Sequence, residues 1–482
     1  MDKFFKLKEN GTNVRTEIAA GLTTFFAMAY IVVTNPNQIT GFAQGPIWNA
    51  VYIASILGAF IGTMLMALYA KMPFAQACGM GLNSFFFVSF ILPEVIKGDE
   101  GNLVLGYHFG MIIIFLSGIL FLILSVTKAR EKIAKALPDC LKKAIPAGIG
   151  LFIAFIGFKN VGIIKANQYT FVQFNDIHGA ITGKVTDINA DGAFAETAVT
   201  FTEYAVPALL ALLGLLIIAI LAHFKVKGNI LISIVAITIL YYPLTGTAPN
   251  FDLGQVGQSF KDFGYIGITG LFDGAAWTKA FGSGASAIFT TVVLIITYAL
   301  VDMFDTIGTI YGTASQADML DQNGDPKNLD KCMMSDSIAT VVGGVSGTST
   351  VTTFVESAAG VGAGGRTGLT SLVTAVCFAL CLFLSPVAAL VPLCATAPAL
   401  IYVGVLMMKN FKDVDMSEAR SAVPAFLALI CMPLTYSISN GIGIGAIAYT
   451  LITLFTGKFQ KKDIAITVVA ILFVLKFCMV TM

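Results

Sequence analysis

The chain has 482 residues, of which 56% are hydrophobic and only 12% are charged, and its net charge is +1. Its mean hydropathy of +0.83 is too high for a water-soluble globule, whose surface needs more polar residues. The near-neutral charge also argues against a nucleic-acid partner, because such proteins concentrate Lys and Arg. The composition therefore indicates a protein whose solvent is the lipid bilayer.

Apolar runs long enough to cross the roughly 30 Å hydrocarbon layer recur along the chain. They predict an all-α polytopic membrane protein with fourteen transmembrane segments. In chain order, segments 1 to 14 are predicted at 17–34, 49–70, 74–92, 109–127, 144–158, 204–223, 228–244, 285–312, 332–346, 350–364, 369–386, 391–408, 421–437 and 440–456. For a last apolar stretch, 463–481, the sequence allows either a further span or an interfacial helix.

The distribution of Lys and Arg predicts the orientation of these segments. With the N-terminus in the cytoplasm, 22 of the 29 basic residues fall in inner connections and 6 in outer ones. Inner connections of membrane proteins carry this excess of positive charge. The sequence therefore predicts a multi-pass protein of the cell membrane, plasma or inner, with a cytoplasmic N-terminus.

The two halves of the chain resemble each other. Residues 205–212, AVPALLAL, match residues 422–429, AVPAFLAL, and both stretches open a predicted segment. Because each copy has seven segments, an odd number, the second copy enters the membrane upside down. The sequence thus predicts 7+7 inverted repeats, an arrangement that many secondary transporters use, with a substrate site near mid-membrane between the copies.

Segments 3 and 10 occupy corresponding places in the two copies, and both are poor continuous helices. Segment 3 contains two glycines and an amide, Gly79, Gly81 and Asn83, where a helix prefers Leu or Ala. Segment 10 opens with a β-branched run, 350–353, and then turns to small residues. We therefore expect a short strand and a half-helix in each segment, lining a protein cavity that satisfies the freed backbone groups.

Three carboxylates lie inside apolar runs: Asp302, Asp305 and Glu356. An acid in mid-membrane costs about 2.5 kcal/mol or more, so it normally has a function. Asp302 and Asp305 are three residues apart and share one helical face. Capping of a half-helix is the alternative role for Asp305 and Glu356, and satisfaction of backbone groups is the alternative for Asn83.

The three histidines, His108, His178 and His223, lie outside the predicted segments. A proton path through the membrane must therefore use carboxylates, and Glu356 and Asp305 are the candidate carriers. The eight cysteines form no CxxC pair, so we expect no metal site and no cofactor other than a coupling proton. Residues 360–367 have the spacing of a phosphate-binding loop, but Arg366 replaces its Lys and no βαβ pattern surrounds it.

The stretch 78–83, CGMGLN, together with 302–309 and 353–358, resembles the AzgA-like purine permeases over nearly the whole chain. This resemblance implies the fold of the uracil permease UraA, with a core domain and a gate domain. It also implies that Asn83, Asp302 and Glu356 contact substrate and that Asp305 is needed for transport. We add Thr353 as a substrate contact. Phe25, Phe26, Phe85 and Phe86 are candidates for an aromatic platform that stacks on the base, and we choose Phe86.

The implied domain boundaries follow the segments. Residues 1–143 and 285–390 form the core domain, residues 144–284 and 391–457 form the gate domain, and residues 458–482 form a C-terminal tail helix. Related folds also suggest a homodimer through the gate domains.

The resulting hypothesis is a secondary transporter that imports a purine base, hypoxanthine or guanine, by proton symport with alternating access. Alternatives of the same fold are an adenine permease and a xanthine or uracil permease. A channel is the alternative of another class, but it needs a continuous polar stripe rather than two breaks and one acidic face. An enzyme is not expected, because the acids lack a nucleophile, a metal cluster or a cofactor motif beside them.

Overall fold

Long apolar helices make up most of the computed structural model, which describes residues 2–41, 43–97, 100–127, 138–167, 170–188, 194–282, 284–316, 319–320 and 326–479. Nine helices in these ranges are long and apolar enough to cross a membrane, and three shorter apolar helices accompany them. A helix satisfies its own backbone groups, which the bilayer core cannot do. The predicted all-α polytopic fold is confirmed.

Each half of the chain supplies seven segments. In the first half, the helices and the strand β1 are Val14–Met28 with Ile31–Ile39 (segment 1), Pro46–Leu65 (2), β1 at Gln76–Cys78 with Met80–Phe86, Phe87–Ile91 and Leu92–Lys97 (3), Glu100–Val126 (4), Asp139–Asn160 (5), Val206–His223 (6) and Asn229–Thr245 (7). In the second half they are Ala285–Gln316 (8), Leu329–Ser346 (9), β6 at Val351–Thr353 with Ser357–Gly362 (10), Gly368–Leu380 (11), Leu393–Met407 (12), Ala419–Leu434 (13) and Ile438–Phe455 (14).

The helices pack in two groups. Segments 1, 2, 4, 8, 9 and 11 contact one another, and segment 2 also packs on β1. Segments 5, 12, 13 and 14 contact one another, with segments 6 and 7 packed on segment 12. The half-helix of segment 3 and segment 8 both touch segment 5, so the two groups face each other there.

Two connections between segments carry structure that the hydrophobic pattern did not predict. Between segments 5 and 6, β2 at Ile164–Asn167 pairs with β3 at Phe171–Phe174, and β4 at Lys184–Ile188 pairs with β5 at Phe194–Ala198. After segment 7, short helices at Gly254–Asp262, Phe263–Gly267, Ile268–Phe272 and Gly274–Phe281 lie against segments 2 and 4. One polar contact there is the bond from Asn49 Nδ2 to Asp262 Oδ2, at 2.7 Å.

The tail forms a helix, Ile464–Met479, that runs beside segment 14 in the opposite direction. Its preceding turn is fixed by Asp463, which accepts a hydrogen bond from Tyr449 at 3.0 Å. Near its end, Lys476 Nζ donates to Ser439 Oγ at 2.6 Å, at the start of segment 14. The tail helix therefore extends along nearly the whole length of that segment.

Candidate functional site

The two interrupted segments meet through their strands. Strands β1 and β6 pair antiparallel, with Gln76 opposite Thr353 and Cys78 opposite Val351. The ladder continues at both ends, because Gly79 N donates to Thr350 O and Phe354 N donates to Ala75 O, each at 3.0 Å. Two strands alone are marginally stable, but here every strand residue is buried within the helical bundle. The predicted breaks in segments 3 and 10 are present.

A half-helix follows each strand at once. Met80–Phe86 begins after Gly79, and Ser357–Gly362 begins after Glu356. Gly79 has no side chain, and the side chain of Glu356 makes no hydrogen bond to the first turn of its helix. The alternative role of Glu356 as a side-chain cap therefore has no support in this geometry, and its carboxylate is directed elsewhere.

A cavity of about 370 Å³ lies where the strands end and the half-helices begin. Its wall on one side contains Gly79, Gly81 and residues 353–356. The facing wall comes from Pro146, Ile149 and Ile153 of segment 5, from residues between Tyr402 and Met407 of segment 12, and from Lys409 just after that segment. This volume falls in the range of small-molecule sites. The cavity thus separates the two helix groups at the crossing of the interrupted segments.

A larger cavity, of about 580 Å³, lies at the other ends of the same helices. It is lined by Asn160 at the end of segment 5, Tyr242 at the end of segment 7 and Cys394 at the start of segment 12. We take the smaller cavity as the functional site despite its size, because it contains the two carboxylates described next. The two cavities lie towards opposite faces of the membrane.

Glu356 is one of those carboxylates, and only 8% of its surface is exposed. Its Oε1 accepts a hydrogen bond from the phenol of Tyr30, at 2.5 Å. Tyr30 lies in segment 1, between the helices Val14–Met28 and Ile31–Ile39. Asp305, half-buried on segment 8, is the second carboxylate in the cavity wall. Thr353 lines the same cavity and accepts a hydrogen bond from Gln76 Nε2 at 3.3 Å.

Asp302 lies behind strand β6 and outside the cavity wall, with 1% of its surface exposed. Its Oδ2 accepts a hydrogen bond from Thr340 Oγ1 at 2.8 Å. The same Thr340 hydroxyl lies 3.2 Å from the carbonyl oxygen of Val351 in the strand. Asp302 is therefore connected to the strand through one threonine.

Asn83 is fully buried in the half-helix of segment 3. Its Oδ1 accepts a hydrogen bond from Ser349, just before strand β6, and its Nδ2 donates to Gln38 Oε1 at 3.2 Å. Phe86 is also fully buried and packs edge-on against Phe90, at 5.0 Å between ring centroids. Asn83 and Phe86 thus lie in the packed interior, whereas Glu356, Asp305 and Thr353 share the cavity.

One carboxylate beside the site was missed by the sequence analysis. Asp336, on segment 9, accepts hydrogen bonds from Thr306 Oγ1 at 2.7 Å and from Gln76 Nε2 at 3.3 Å. Gln76 also contacts Thr353, so Asp336 lies one residue away from the cavity wall. Its position inside a predicted segment was the available signal, but the serines at 335 and 337 gave that stretch a polar character.

The glycine-rich stretch 360–367 has a separate role in packing. The buried carboxylate of Glu17 accepts hydrogen bonds from Arg366 N at 2.9 Å, Thr370 N at 3.1 Å and Thr370 Oγ1 at 2.7 Å. Negative charge is favourable at the start of a helix, here Gly368–Leu380. The last two amide groups of the stretch, Arg366 N and Thr367 N, are therefore bound by a carboxylate of the same chain.

Inverted halves, two interrupted segments joined by a strand pair and an acidic cavity between two helix groups define a membrane transporter and not an enzyme. A family model described as "Permease family", Xan_ur_permease, matches residues 15–186 and 177–444. The chain belongs to this permease family.

Curated relatives match this chain over almost its full length. The chain is 37% identical to the putative permease MJ0326 of Methanocaldococcus jannaschii, over 99% of this chain and 98% of the relative. It is 37% identical to the guanine/hypoxanthine permease PbuO of Bacillus subtilis, over 97% and 98%, and 36% identical to the adenine permease AdeP of Escherichia coli, over 99% and 95%. The family resemblance found in the sequence is confirmed.

Solved structures share the fold at low sequence identity. The transmembrane domain of the cyanobacterial bicarbonate transporter BicA superposes with a TM-score of 0.60 at 16% identity, covering 89% of this chain and 97% of that domain. SLC26A9 superposes with a TM-score of 0.59 at 10% identity, covering 93% of this chain and 66% of that chain. At these identities the comparison concerns the fold alone.

Proposed function

We propose that this permease imports a purine base, hypoxanthine or guanine, together with a proton. The observation that carries the proposal is the cavity in which Glu356 and Asp305 meet the ends of strands β1 and β6. Two carboxylates at this depth in a membrane are energetically costly, so they normally have a function. The full-length similarity to a guanine/hypoxanthine permease supports the choice of ligand.

The cavity has suitable groups for an oxopurine. A neutral oxopurine presents ring N–H groups, and a carboxylate accepts hydrogen bonds from such donors. In our proposal Glu356 accepts from the ring, and Thr353 contributes a hydroxyl beside it. Asn83, Asp302 and Phe86 lie behind the cavity wall here, so direct contact from them requires a different conformation. We propose that in this conformation Asp302 and Asn83 act by fixing the strands.

Proton coupling is assigned to Glu356 and Asp305 in the same proposal. A proton that neutralises this pair from one side of the membrane and leaves to the other would couple its gradient to the ligand. In our proposal the 370 Å³ cavity faces the cytoplasm and the 580 Å³ cavity faces the outside, an orientation that the distribution of Lys and Arg supports. We therefore interpret this conformation as inward-facing, in a cell membrane, with the N-terminus in the cytoplasm.

Adenine is the second candidate ligand, favoured by the 36% identity to AdeP over 99% of this chain. Adenine carries an amino group where hypoxanthine carries a carbonyl, and its N1 accepts rather than donates. A carboxylate therefore distinguishes the two bases through different atoms. Competition between the two bases for uptake, and not the overall fold, therefore decides which of them is the ligand.

Uptake of radiolabelled hypoxanthine by bacterial cells lacking their own purine carriers tests the proposal. Unlabelled guanine should compete strongly, with adenine, xanthine and uracil weaker, and a protonophore should abolish accumulation. Stronger competition by adenine would favour the second candidate. Uptake that is insensitive to the protonophore would contradict the proton coupling. Single-channel current across vesicles at saturating ligand would favour a channel instead.

A further inference from the structure

We propose that Tyr30 is a positioning residue that holds the Glu356 carboxylate in the orientation that binds ligand. This inference rests on the proposed function. Tyr30 Oη donates to Glu356 Oε1 at 2.5 Å, and the two residues come from segments 1 and 10. Only 1% of Tyr30 is exposed, so water does not compete for its hydroxyl. The hydrogen bond therefore connects two segments at the cavity wall.

The backbone of Tyr30 is held firmly. The residue lies at the junction of the helices Val14–Met28 and Ile31–Ile39 in segment 1. Its carbonyl oxygen accepts hydrogen bonds from Thr34 N at 3.0 Å and from Thr34 Oγ1 at 3.1 Å. Its ring is part of the main hydrophobic core. Since both backbone and ring are fixed, the phenol can define where the Glu356 oxygen lies.

Glu356 needs such a partner because its own segment constrains it little. It stands at the start of a six-residue half-helix, Ser357–Gly362, and its side chain has three rotatable bonds. With Oε1 bonded to Tyr30, Oε2 is the oxygen left to accept a ring N–H from the ligand. The phenol thereby selects one rotamer of the carboxylate before ligand binds.

The chemistry of the donor matters as well. The charged side chains that share the cavity with Glu356 are Asp305 and Lys409. A Lys or Arg bonded to Glu356 would neutralise the carboxylate, whereas a phenol orients it and leaves its charge in place. Tyr30 is therefore suited to a carboxylate that must bind ligand and also exchange a proton. It acts on the ligand only through Glu356.

Binding of labelled hypoxanthine to purified protein tests this role, with Tyr30→Phe compared with Tyr52→Phe. Tyr52 is a matched control, because its buried hydroxyl donates to Cys381 O at 2.7 Å away from the cavity. Both variants lose one buried hydrogen bond and should melt at similarly lowered temperatures. We expect Tyr30→Phe alone to weaken binding, by about 10-fold or more, since a hydrogen bond to a charged group is lost.

A double-mutant cycle with Glu356→Ala, which removes the acceptor of the Tyr30 hydroxyl, separates positioning from a general packing effect. If Tyr30 acts through Glu356, Tyr30→Phe should change affinity much less in the Glu356→Ala background than in the wild type. Equal losses of affinity in both backgrounds would overturn the inference and leave the proposed function intact. The same holds if Tyr30→Phe keeps its affinity and melts like Tyr52→Phe. Wild-type protein that binds none of the purine bases would instead overturn the proposed function on which it rests.

Discussion

Segments 3 and 10 are built alike but carry different chemistry. In each, a three-residue strand leads into a half-helix, and the strands pair with each other. In segment 3 the polar residue of the half-helix, Asn83, is turned inward and bonded to Ser349 and Gln38. In segment 10 the capping residue, Glu356, faces the cavity. The two segments thus share a backbone pattern, but segment 10 places an acid at the cavity and segment 3 does not.

If segment 10 carries the ligand chemistry, the largest effect should come from Glu356→Gln. The amide keeps the shape and can still accept from Tyr30, but it cannot carry a negative charge or take up a proton at neutral pH. We expect accumulation of labelled hypoxanthine to fall at least about 100-fold while the protein still reaches the membrane. Uptake that stays near the wild-type level, normalised to protein amount, would show that the acid of segment 10 is dispensable.

Asp302 should have the next largest effect, through strand β6. Removing its carboxylate leaves the Thr340 hydroxyl without that acceptor, which costs about 1–3 kcal/mol for a buried group. We expect Asp302→Ala to weaken hypoxanthine binding about 10-fold and to lower the melting temperature.

Thr340→Val tests the route of that effect. It removes the hydroxyl between Asp302 and Val351 without touching the acid. If Asp302 acts by fixing the strand, Thr340→Val should reproduce most of the loss of affinity. A normal affinity in Thr340→Val beside a large loss in Asp302→Ala would point to direct contact between Asp302 and the ligand.

Asn83→Ala measures the contribution of segment 3. Ser349 and Gln38 each lose a buried partner, so the free energy of unfolding should fall by about 1–3 kcal/mol. We expect ligand affinity to change less than fivefold, because the side chain does not line the cavity in this conformation. An affinity loss as large as that of Glu356→Gln, measured on folded protein, would break the comparison and make Asn83 a ligand contact.

The contrast between these segments also indicates what the sequence could reveal. Glycines and carboxylates inside apolar runs are unusual enough to predict the two breaks and three of the acids near the site. The sequence could not reveal which side chains the fold brings together: Tyr30 and Glu356 are 326 positions apart. It could not show that Asp302 and Asn83 are bonded to the strand region rather than aimed at the cavity. Asp336 was hidden by neighbouring serines.

The smallest effect should come from a substitution at a glycine of a half-helix. Gly81 and Gly360 lie in the half-helices of segments 3 and 10 and have different neighbours. A Cβ on Gly81 would lie 2.4 Å from Cγ2 of Ile149 in segment 5, whereas a Cβ on Gly360 would lie 2.8 Å from the backbone oxygen of Ala20 in segment 1. The half-helix of segment 3 therefore meets the opposite helix group, and that of segment 10 packs within its own. We expect Gly81→Ala to slow uptake a few-fold and to lower the melting temperature, because the added methyl group overpacks the contact with segment 5.

Adding Ile149→Leu to Gly81→Ala tests whether the contact with segment 5 causes the slower uptake. Leucine conserves the volume but lacks the methyl group at the position of Cγ2, so it relieves the contact without leaving a large cavity. The double variant should recover uptake if the close approach of Gly81 to segment 5 limits movement between the two helix groups. No recovery, in protein that melts normally, would mean that this approach is ordinary packing. The contact that limits movement between the two helix groups would then have to lie elsewhere.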